Sequence, residues 1–248
     1  MSKLQAVILA GGKGSRLRPY TMILPKPLLP LGDFPIAEII IRQLGFYDIK
    51  DIIISTGHLA GLIETYFGNG RRWGVRIRYV QEDKPLGTAG SIKFIPKLEE
   101  NFLVVNGDTL TDLNFRNLFK FHQQHKGIAT ISVKERVVKT DFGVIEFNRR
   151  NELLDYMEKP SHKSFVSLGI NILNKRCREY IKTGEAIGMP ELMLRMKDSG
   201  EKVHCFRTKN VWLDLGRLED LEAAQEIFAS HRSRFLIDTP TQTGSDEY

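Results

Sequence analysis

Leu9-Ala10-Gly11-Gly12-Lys13-Gly14-Ser15-Arg16-Leu17-Arg18-Pro19, with Leu24-Pro25-Lys26-Pro27 close behind it, follows directly on the apolar run Ala6-Val7-Ile8-Leu9. The run reads as a buried strand. Glycines at its end let the backbone turn tightly and bring bare N–H groups close to an anion. Four cations, Lys13, Arg16, Arg18 and Lys26, fall within the same short segment. A glycine loop with that much positive charge suits a ligand with several negative charges, a nucleoside triphosphate above all. The spacing is neither that of a dinucleotide fingerprint nor that of a P-loop, which ends in Gly-Lys-Ser/Thr.

Outward from this loop the first half alternates strands and helices. Strands are expected at 5–10, 51–56, 75–81 and 102–106, and helices at 36–45, 59–67, 89–96 and 114–124. Ile52-Ile53-Ile54 and Phe102-Leu103-Val104-Val105 are continuously apolar, as strands covered on both faces are. This implies an α/β fold with a doubly wound, mostly parallel sheet, whose ligand sits at the carboxyl ends of the strands. Four short strand candidates follow, at 129–134, 143–147, 153–157 and 166–173. They are read as an added antiparallel portion covering the mouth of the sheet. Helices are expected at 175–183 and at 190–199, the second opened by Pro190. A strand at 203–208 and an amphipathic helix at 218–231 complete a single domain over 1–237. Residues 238–248 are polar and expected to be disordered. No internal repeat is visible.

Composition bounds the class. The 248 residues are 42% hydrophobic and 27% charged, ordinary for a globular enzyme. No apolar run is long enough to span a bilayer, and no signal-peptide pattern opens the chain. Cys177 and Cys205 are too few and too distant for a disulfide framework or a zinc site. The expectation is a reduced, cytoplasmic protein without a membrane partner. The net charge of +6 would suit nucleic acid, but no basic-aromatic stacking pattern accompanies it. Arg76 and Arg78 alternate with Val75, Ile77 and Tyr79, which reads as the solvated face of a half-buried strand.

Two carboxylates carry the remaining signal. Asp108 ends the apolar strand in Val104-Val105-Asn106-Gly107-Asp108, where it could hold a divalent cation or cap a turn. Asp214 lies inside the apolar stretch Trp212-Leu213-Asp214-Leu215-Gly216, a costly place for a carboxylate without a cation or metal.

Together these segments closely resemble the signature of the sugar-phosphate nucleotidyltransferases, the nucleotide-sugar pyrophosphorylases. Five motifs occur in the family's order between residue 4 and about 230. The resemblance implies a Rossmann-like sheet with a small antiparallel sugar-binding portion. It also implies Mg²⁺-dependent transfer of a nucleoside monophosphate from an NTP to a sugar 1-phosphate, with pyrophosphate released. By it, Arg16 and Lys26 bind the triphosphate, and Asp108 and Asp214 jointly hold one Mg²⁺. Leu9, Gly11, Gly12, Gly14, Ser15, Gln81, Gly87 and Thr88 surround the nucleotide, Thr88 also opening the next helix as a cap. Gly143, Glu158 and Lys159 meet the sugar phosphate. Asn171 either does the same or simply ends a strand. The Leu86-Gly87-Thr88-Ala89-Gly90 form leans to GTP with a mannose-type sugar (hexose or heptose). UTP or dTTP with glucose 1-phosphate, or a non-catalytic regulatory homologue, are the alternatives. The family often forms dimers or tetramers, so a homo-oligomer is implied as open. The chain stops where longer relatives append a β-helix of hexapeptide repeats, so the expectation is a catalytic domain alone.

Overall fold

In a computed structural model of the chain, residues 4–236 are described; the tail expected at 238–248 lies outside them. Strand β1 (Gln5–Ala10) opens the fold. The short strands β2 (Pro30–Leu31) and β3 (Phe34–Pro35) pair with each other and lead into helix α1 (Ile36–Phe46). Then come β4 (Asp51–Thr56), α2 (Ala60–Phe67), β5 (Arg76–Gln81), β6 (Asn101–Asn106), β7 (Thr109–Thr111) and α3 (Phe115–His125). The second half supplies β8 (Ala129–Lys139), β9 (Val144–Phe147), β10 (Leu153–Met157), β11 (Ser161–Asn174), α4 (Met189–Asp198), β12 (Val203–Arg207), β13 (Trp212–Asp214), α5 (Leu218–Ser230) and α6 (Arg232–Phe235).

Seven strands form the main sheet in the order β12-β8-β11-β6-β1-β4-β5. β1 lies parallel between β4 and β6, with Val7 level with Ile53 and Val104. Alternate residues of β1 serve opposite layers. Ala6 and Ile8 join the cluster packed by α1, α2 and α3, which includes Ile40, Ile63 and Phe115. Val7 joins the opposite cluster with Ile92, Leu192 and Met196. Both layers are closed, which is why the run is apolar without interruption. A third cluster, with Leu17, Leu31, Ile39, Leu110, Leu215 and Phe228, ties the glycine loop to the last helices.

In the first half the four expected strands and the helices over 36–45, 59–67 and 114–124 are present. Three other expectations need correction. The segment expected as a helix over 89–96 is a 3-10 turn, Gly90–Phe94, and that over 175–183 is another, Lys175–Tyr180. Asn174 opens the latter by accepting the amide of Arg176, and Ile181 is already extended. The antiparallel portion is not a separate layer over the mouth. β8 and β11 are full members of the main sheet, with β11 antiparallel to both β6 and β8. Their outer ends, still paired with each other, run on past β6 and carry the hairpin β9–β10.

The basic strand β5 also does more than face solvent. Arg76 and Arg78 reach the buried Asp51, which Gln5 also binds through Nε2 at 3.0 Å. Burial opposes ionisation of Asp51, but hydrogen bonds from Gln5 and Arg76 and the charge of Arg78 outweigh it and lower its pKa.

Candidate functional site

The strand ends that diverge around β1 create a crevice, since β4 and β5 lead one way and β6 the other. Leu9 and Ala10 from β1, Ser55 from β4 and Asn106 from β6 line a cavity of about 370 Å³ there. The glycine loop closes one side with Gly11, Gly12, Gly14, Ser15 and Arg16. Glu82, Pro85, Gly87 and Thr88 close the other. Lys26, Asp108 and Gly216 line it as well.

Each wall has a local cause. Gly14 is left-handed at φ 60° and ψ 32°, a conformation that costs an L side chain about 1–2 kcal/mol. Its carbonyl accepts from the Leu17 amide at 2.9 Å and from Thr21 Oγ1 at 2.8 Å. This turns the chain into the short helical turn Ser15–Leu17 that presents Arg16. Leu17 anchors the turn in the third cluster. Lys26 follows extended Pro25, and its nearly buried side chain donates to Asp108 Oδ2.

The two aspartates stand 106 positions apart in sequence, and a two-stranded ribbon brings them together. β13 pairs antiparallel with β7, with Asp214 level with Thr109. The Leu215 amide donates to the Asp108 carbonyl at 3.1 Å. Val211 is locked by its amide to Asp112 Oδ1 at 2.7 Å, and Trp212 by its indole N–H to the Leu168 carbonyl at 2.8 Å. Asp214 is exposed, so the cost foreseen for a carboxylate in an apolar strand is met only in part. It opens into a second compartment of about 610 Å³, with Lys134, Arg136, Trp212 and Arg217 on its walls. Arg16 borders both compartments, and its guanidinium lies against Gly216. Partial desolvation and, next, the charge of Asp108 raise the Asp214 pKa, against the pull of Lys26 and Arg16.

Ten of the residues picked from the sequence therefore meet in the first compartment: Leu9, Gly11, Gly12, Gly14, Ser15, Arg16, Lys26, Gly87, Thr88 and Asp108. Asp214 stands next door. Gln81 does not join them. It is the exposed last residue of β5, and its successor Glu82 lines the cavity instead. Glu82 accepts from Ser55 Oγ at 3.1 Å and from the Leu86 amide at 3.0 Å. Thr88 does not open the turn that follows it; its Oγ1 accepts the amide of Met189, the first residue of α4, at 2.7 Å and so moors that helix.

The residues picked for the sugar phosphate lie farther out. Gly143, Glu158 and Lys159 sit where the β8–β11 ribbon meets the hairpin, and line neither compartment. Lys159 is exposed and left-handed, at φ 46°. Asn171 is corrected outright. It is buried mid-strand between Val104 and Ile131, with Oδ1 unbonded, so it neither ends a strand nor reaches the cleft. Sequence reasoning missed Ser55, Glu82, Asn106 and Arg217. Ser55 and Asn106 were findable as polar residues that terminate apolar runs at strand carboxyl ends. Glu82 and Arg217 carry no signal without the fold.

The donor set suits a hard divalent ion. Partial desolvation and then the charge of Asp108 hold the Asp214 pKa up, and a bound cation would offset both. Among the described residues no group of three or more His, Cys, Asp or Glu side chains forms a metal cage. Mg²⁺ takes one or two carboxylates and completes its shell with water and substrate phosphates. No helix of the described residues is long and apolar enough to cross a membrane.

Comparison with known proteins agrees with this geometry. Residues 5–231 match the nucleotidyl transferase family. A D-glycero-alpha-D-manno-heptose 1-phosphate guanylyltransferase of Aneurinibacillus thermoaerophilus is 33% identical over 226 residues, covering 90% of this chain and 97% of the relative. A UTP–glucose-1-phosphate uridylyltransferase of Synechocystis sp. is 32% identical, covering 88% of this chain but only 61% of that protein's length. Among solved structures, HddC from Yersinia pseudotuberculosis, complexed with GMP-PN, superposes with a TM-score of 0.70. It has 25% identity and covers 92% of this chain and 100% of that one. With a crevice of this form and a family match over nearly its whole described length, the chain belongs to the nucleotidyl transferase family.

Proposed function

We propose that this chain is a sugar-1-phosphate nucleotidyltransferase that joins a nucleoside monophosphate, taken from GTP, to a mannose-type hexose or heptose 1-phosphate and releases pyrophosphate. The observation that carries the reading is the polarity of the cleft. Arg16, Lys26 and the Asp108–Asp214 pair make its charged end; Ser55, Gly87 and Thr88 line the cavity as well, with the Glu82 carboxylate against Gly11 of the glycine loop.

A triphosphate belongs at the cationic end. Arg16 can grip a phosphate with two parallel bonds, and Lys26 acts as a point charge. Asp108 and Asp214 would hold Mg²⁺, which when bound neutralises charge on the reacting and leaving phosphates. The chain itself supplies position and fixed charge, which is most of what phosphoryl chemistry asks of a protein. The attacking sugar phosphate fits the second compartment, where Arg16, Lys134, Arg136 and Arg217 converge. Lys159 would close on it from the hairpin side.

This leaves the base beside Glu82. A carboxylate only accepts hydrogen bonds, and each Glu82 oxygen keeps a lone pair beyond its bond to Ser55 or Leu86. Guanine offers two adjacent donors, N1–H and N2–H, to such a pair. Uracil and thymine offer one N–H between two carbonyls, which a carboxylate repels. The guanylyltransferase relative and the neighbour bound to GMP-PN lend support. The uridylyltransferase relative favours a second reading, UTP with glucose 1-phosphate.

A matrix of four NTPs against several sugar 1-phosphates, read by pyrophosphate release, decides between them. GTP with a mannose-type sugar should turn over fastest. In E82Q the kcat/KM for GTP should fall roughly tenfold to a hundredfold, the range of a charged hydrogen bond, with UTP changed little. Preference for UTP in the unaltered chain would overturn the base assignment. Binding of nucleotide without turnover of any pair would make the chain a regulatory homologue instead.

A further inference from the structure

The ribbon that brings Asp214 to Asp108 is short. Trp212 stands opposite Thr111, Leu213 opposite Leu110 and Asp214 opposite Thr109. Two strands paired only with each other are marginal in water, so the register needs support at its ends. At one end the Leu215 amide donates to the Asp108 carbonyl. At the other end the next residues in register are Asp112 and Val211, and there the ladder changes. Were it to continue, the Asp112 carbonyl would take the Val211 N–H. That carbonyl instead accepts from Asn210 Nδ2 at 3.0 Å, and the Asp112 carboxylate takes the Val211 amide on Oδ1 at 2.7 Å. Thr111 Oγ1 donates to the Val211 carbonyl at 2.8 Å, so both backbone groups of Val211 are held.

The carboxylate is itself fixed. The Asp112 side chain is only 10% exposed. Oδ1 also accepts from Asn210 Nδ2 at 3.0 Å. Oδ2 is occupied by the Arg234 guanidinium from α6, which leaves Oδ1 facing Val211. Phe235, fully buried, anchors α6. Gln43 Nε2 ties that helix to β7 by donating to the carbonyls of Thr111 at 2.7 Å and Phe235 at 3.0 Å.

Register decides where Asp214 points. Alternate side chains of a strand face opposite ways. Leu213 and Leu215 pack in the third cluster with Leu110, while Asp214 between them opens into the second compartment. A slip of one residue would exchange the two sets, turning Asp214 toward the cluster and away from Asp108.

We infer that Asp112 is a positioning residue: its carboxylate sets the register of β13 on β7 and thereby holds Asp214 near Asp108. Asp112 lines neither compartment, so it acts only through the strand. The clamp stands on these hydrogen bonds alone, whereas its effect on a metal rests on the function proposed above.

Hydrogen exchange on the full chain, read at the Val211 and Leu215 amides, tests the clamp. Calorimetric titration with GTP, with and without Mg²⁺, tests its effect. In D112A both amides should exchange roughly tenfold faster or more, the scale of a buried donor left unpaired, while those of β4 keep their rate. A general loss of stability would move β4 as well. The factor by which Mg²⁺ strengthens GTP binding should fall roughly tenfold or more, the scale for losing a group that orients a metal ligand. Metal-free GTP affinity should not change, because Arg16 and Lys26 are untouched. D112N keeps an acceptor for Val211 and should stay close to the unaltered chain in both readouts. D112E keeps the charge for Arg234 but carries its oxygens one methylene farther; it serves if D112A folds poorly, and should move both readouts in the same direction as D112A. Unchanged exchange in D112A overturns the inference, as does faster exchange with the Mg²⁺ factor intact, or a D112N no better than D112A. An unaltered chain whose GTP binding ignores Mg²⁺ overturns the metal reading instead, and the exchange result still judges the clamp.

Discussion

Replacing Lys26 with Met keeps the apolar stem and removes only the ammonium, so it tests the hinge between stability and binding in this cleft. The side chains of Lys26 and Asp108 are 11% and 25% exposed. An exposed ion pair is worth about 0–1 kcal/mol, whereas removing one member of a buried pair costs about 3–5 kcal/mol because the other is left uncompensated. This pair lies between, so K26M should lose about 2 kcal/mol. In a domain of this size each kcal/mol is about 2–4 °C in Tm, which gives a fall of about 4–8 °C. D108N should cost less, since an amide can still accept from Lys26. In K26M/D108N no stranded charge remains, and the loss should be smaller than the sum of the two by about 1–2 kcal/mol. Urea or thermal unfolding of the four proteins measures the cycle. Calorimetric titration with GTP then separates the roles: without the ammonium, triphosphate binding weakens, while D108N, with the Lys26 charge no longer neutralised by a carboxylate, binds metal-free triphosphate at least as well as the unaltered chain. Additivity within about 0.5 kcal/mol would refute the coupling, and unchanged GTP affinity in K26M would refute the phosphate role.

Three further outcomes are expected. G14A should lose about 2 kcal/mol by unfolding, from the left-handed backbone and a Cβ placed 2.8 Å from Thr21 Cγ2, while G12A, with nothing within 4 Å of its added Cβ, should be near neutral; equal effects would contradict the loop geometry. Because the pKa of Asp51 is lowered in the folded chain, its contribution is full above the unfolded value of about 3.9 and is lost as pH falls through the folded one. The stability gap between the unaltered chain and D51N should therefore be widest near neutrality and close on acidification, and a gap independent of pH would sink the ion-pair account. K159A should raise the KM for sugar phosphate roughly tenfold or more with little change for NTP, the range of a lost charged contact; equal losses for both would place Lys159 elsewhere.

The parallel half was legible because its pattern is redundant: runs such as Ile52-Ile53-Ile54 are apolar on both faces and sit at βα spacing. The turn at Gly90–Phe94 was not, because Ala89, Ile92 and Ile95 recur every three residues. Over one turn that spacing suits a 3-10 helix as well as an α-helix. The outer ends of β8 and β11 misled for another reason. Their side chains remain exposed where periodicity assumes a buried face, so the strands appeared to stop early. Asn171 misled for a different reason: a polar residue near the end of an apolar run reads as a strand end, but β11 continues through Asn174 and Asn171 is paired on both sides. The convergence of Asp108 and Asp214 needed the ribbon β7–β13, a pairing across some hundred residues that no local pattern encodes. Glu82 stayed hidden because its meaning depends on Ser55 and Leu86, one on another strand and one on a loop.

The ribbon β7–β13 has a consequence for the order in which the molecule matures. Asp108 is laid down 106 positions ahead of its acidic neighbour, which arrives only with Trp212–Asp214. A growing or truncated polypeptide that has completed the parallel strands but not this late return would already possess the glycine turn and Lys26. It would still lack the second carboxylate, so on the metal-binding reading proposed above it should bind nucleotide without turning it over until β13 is made.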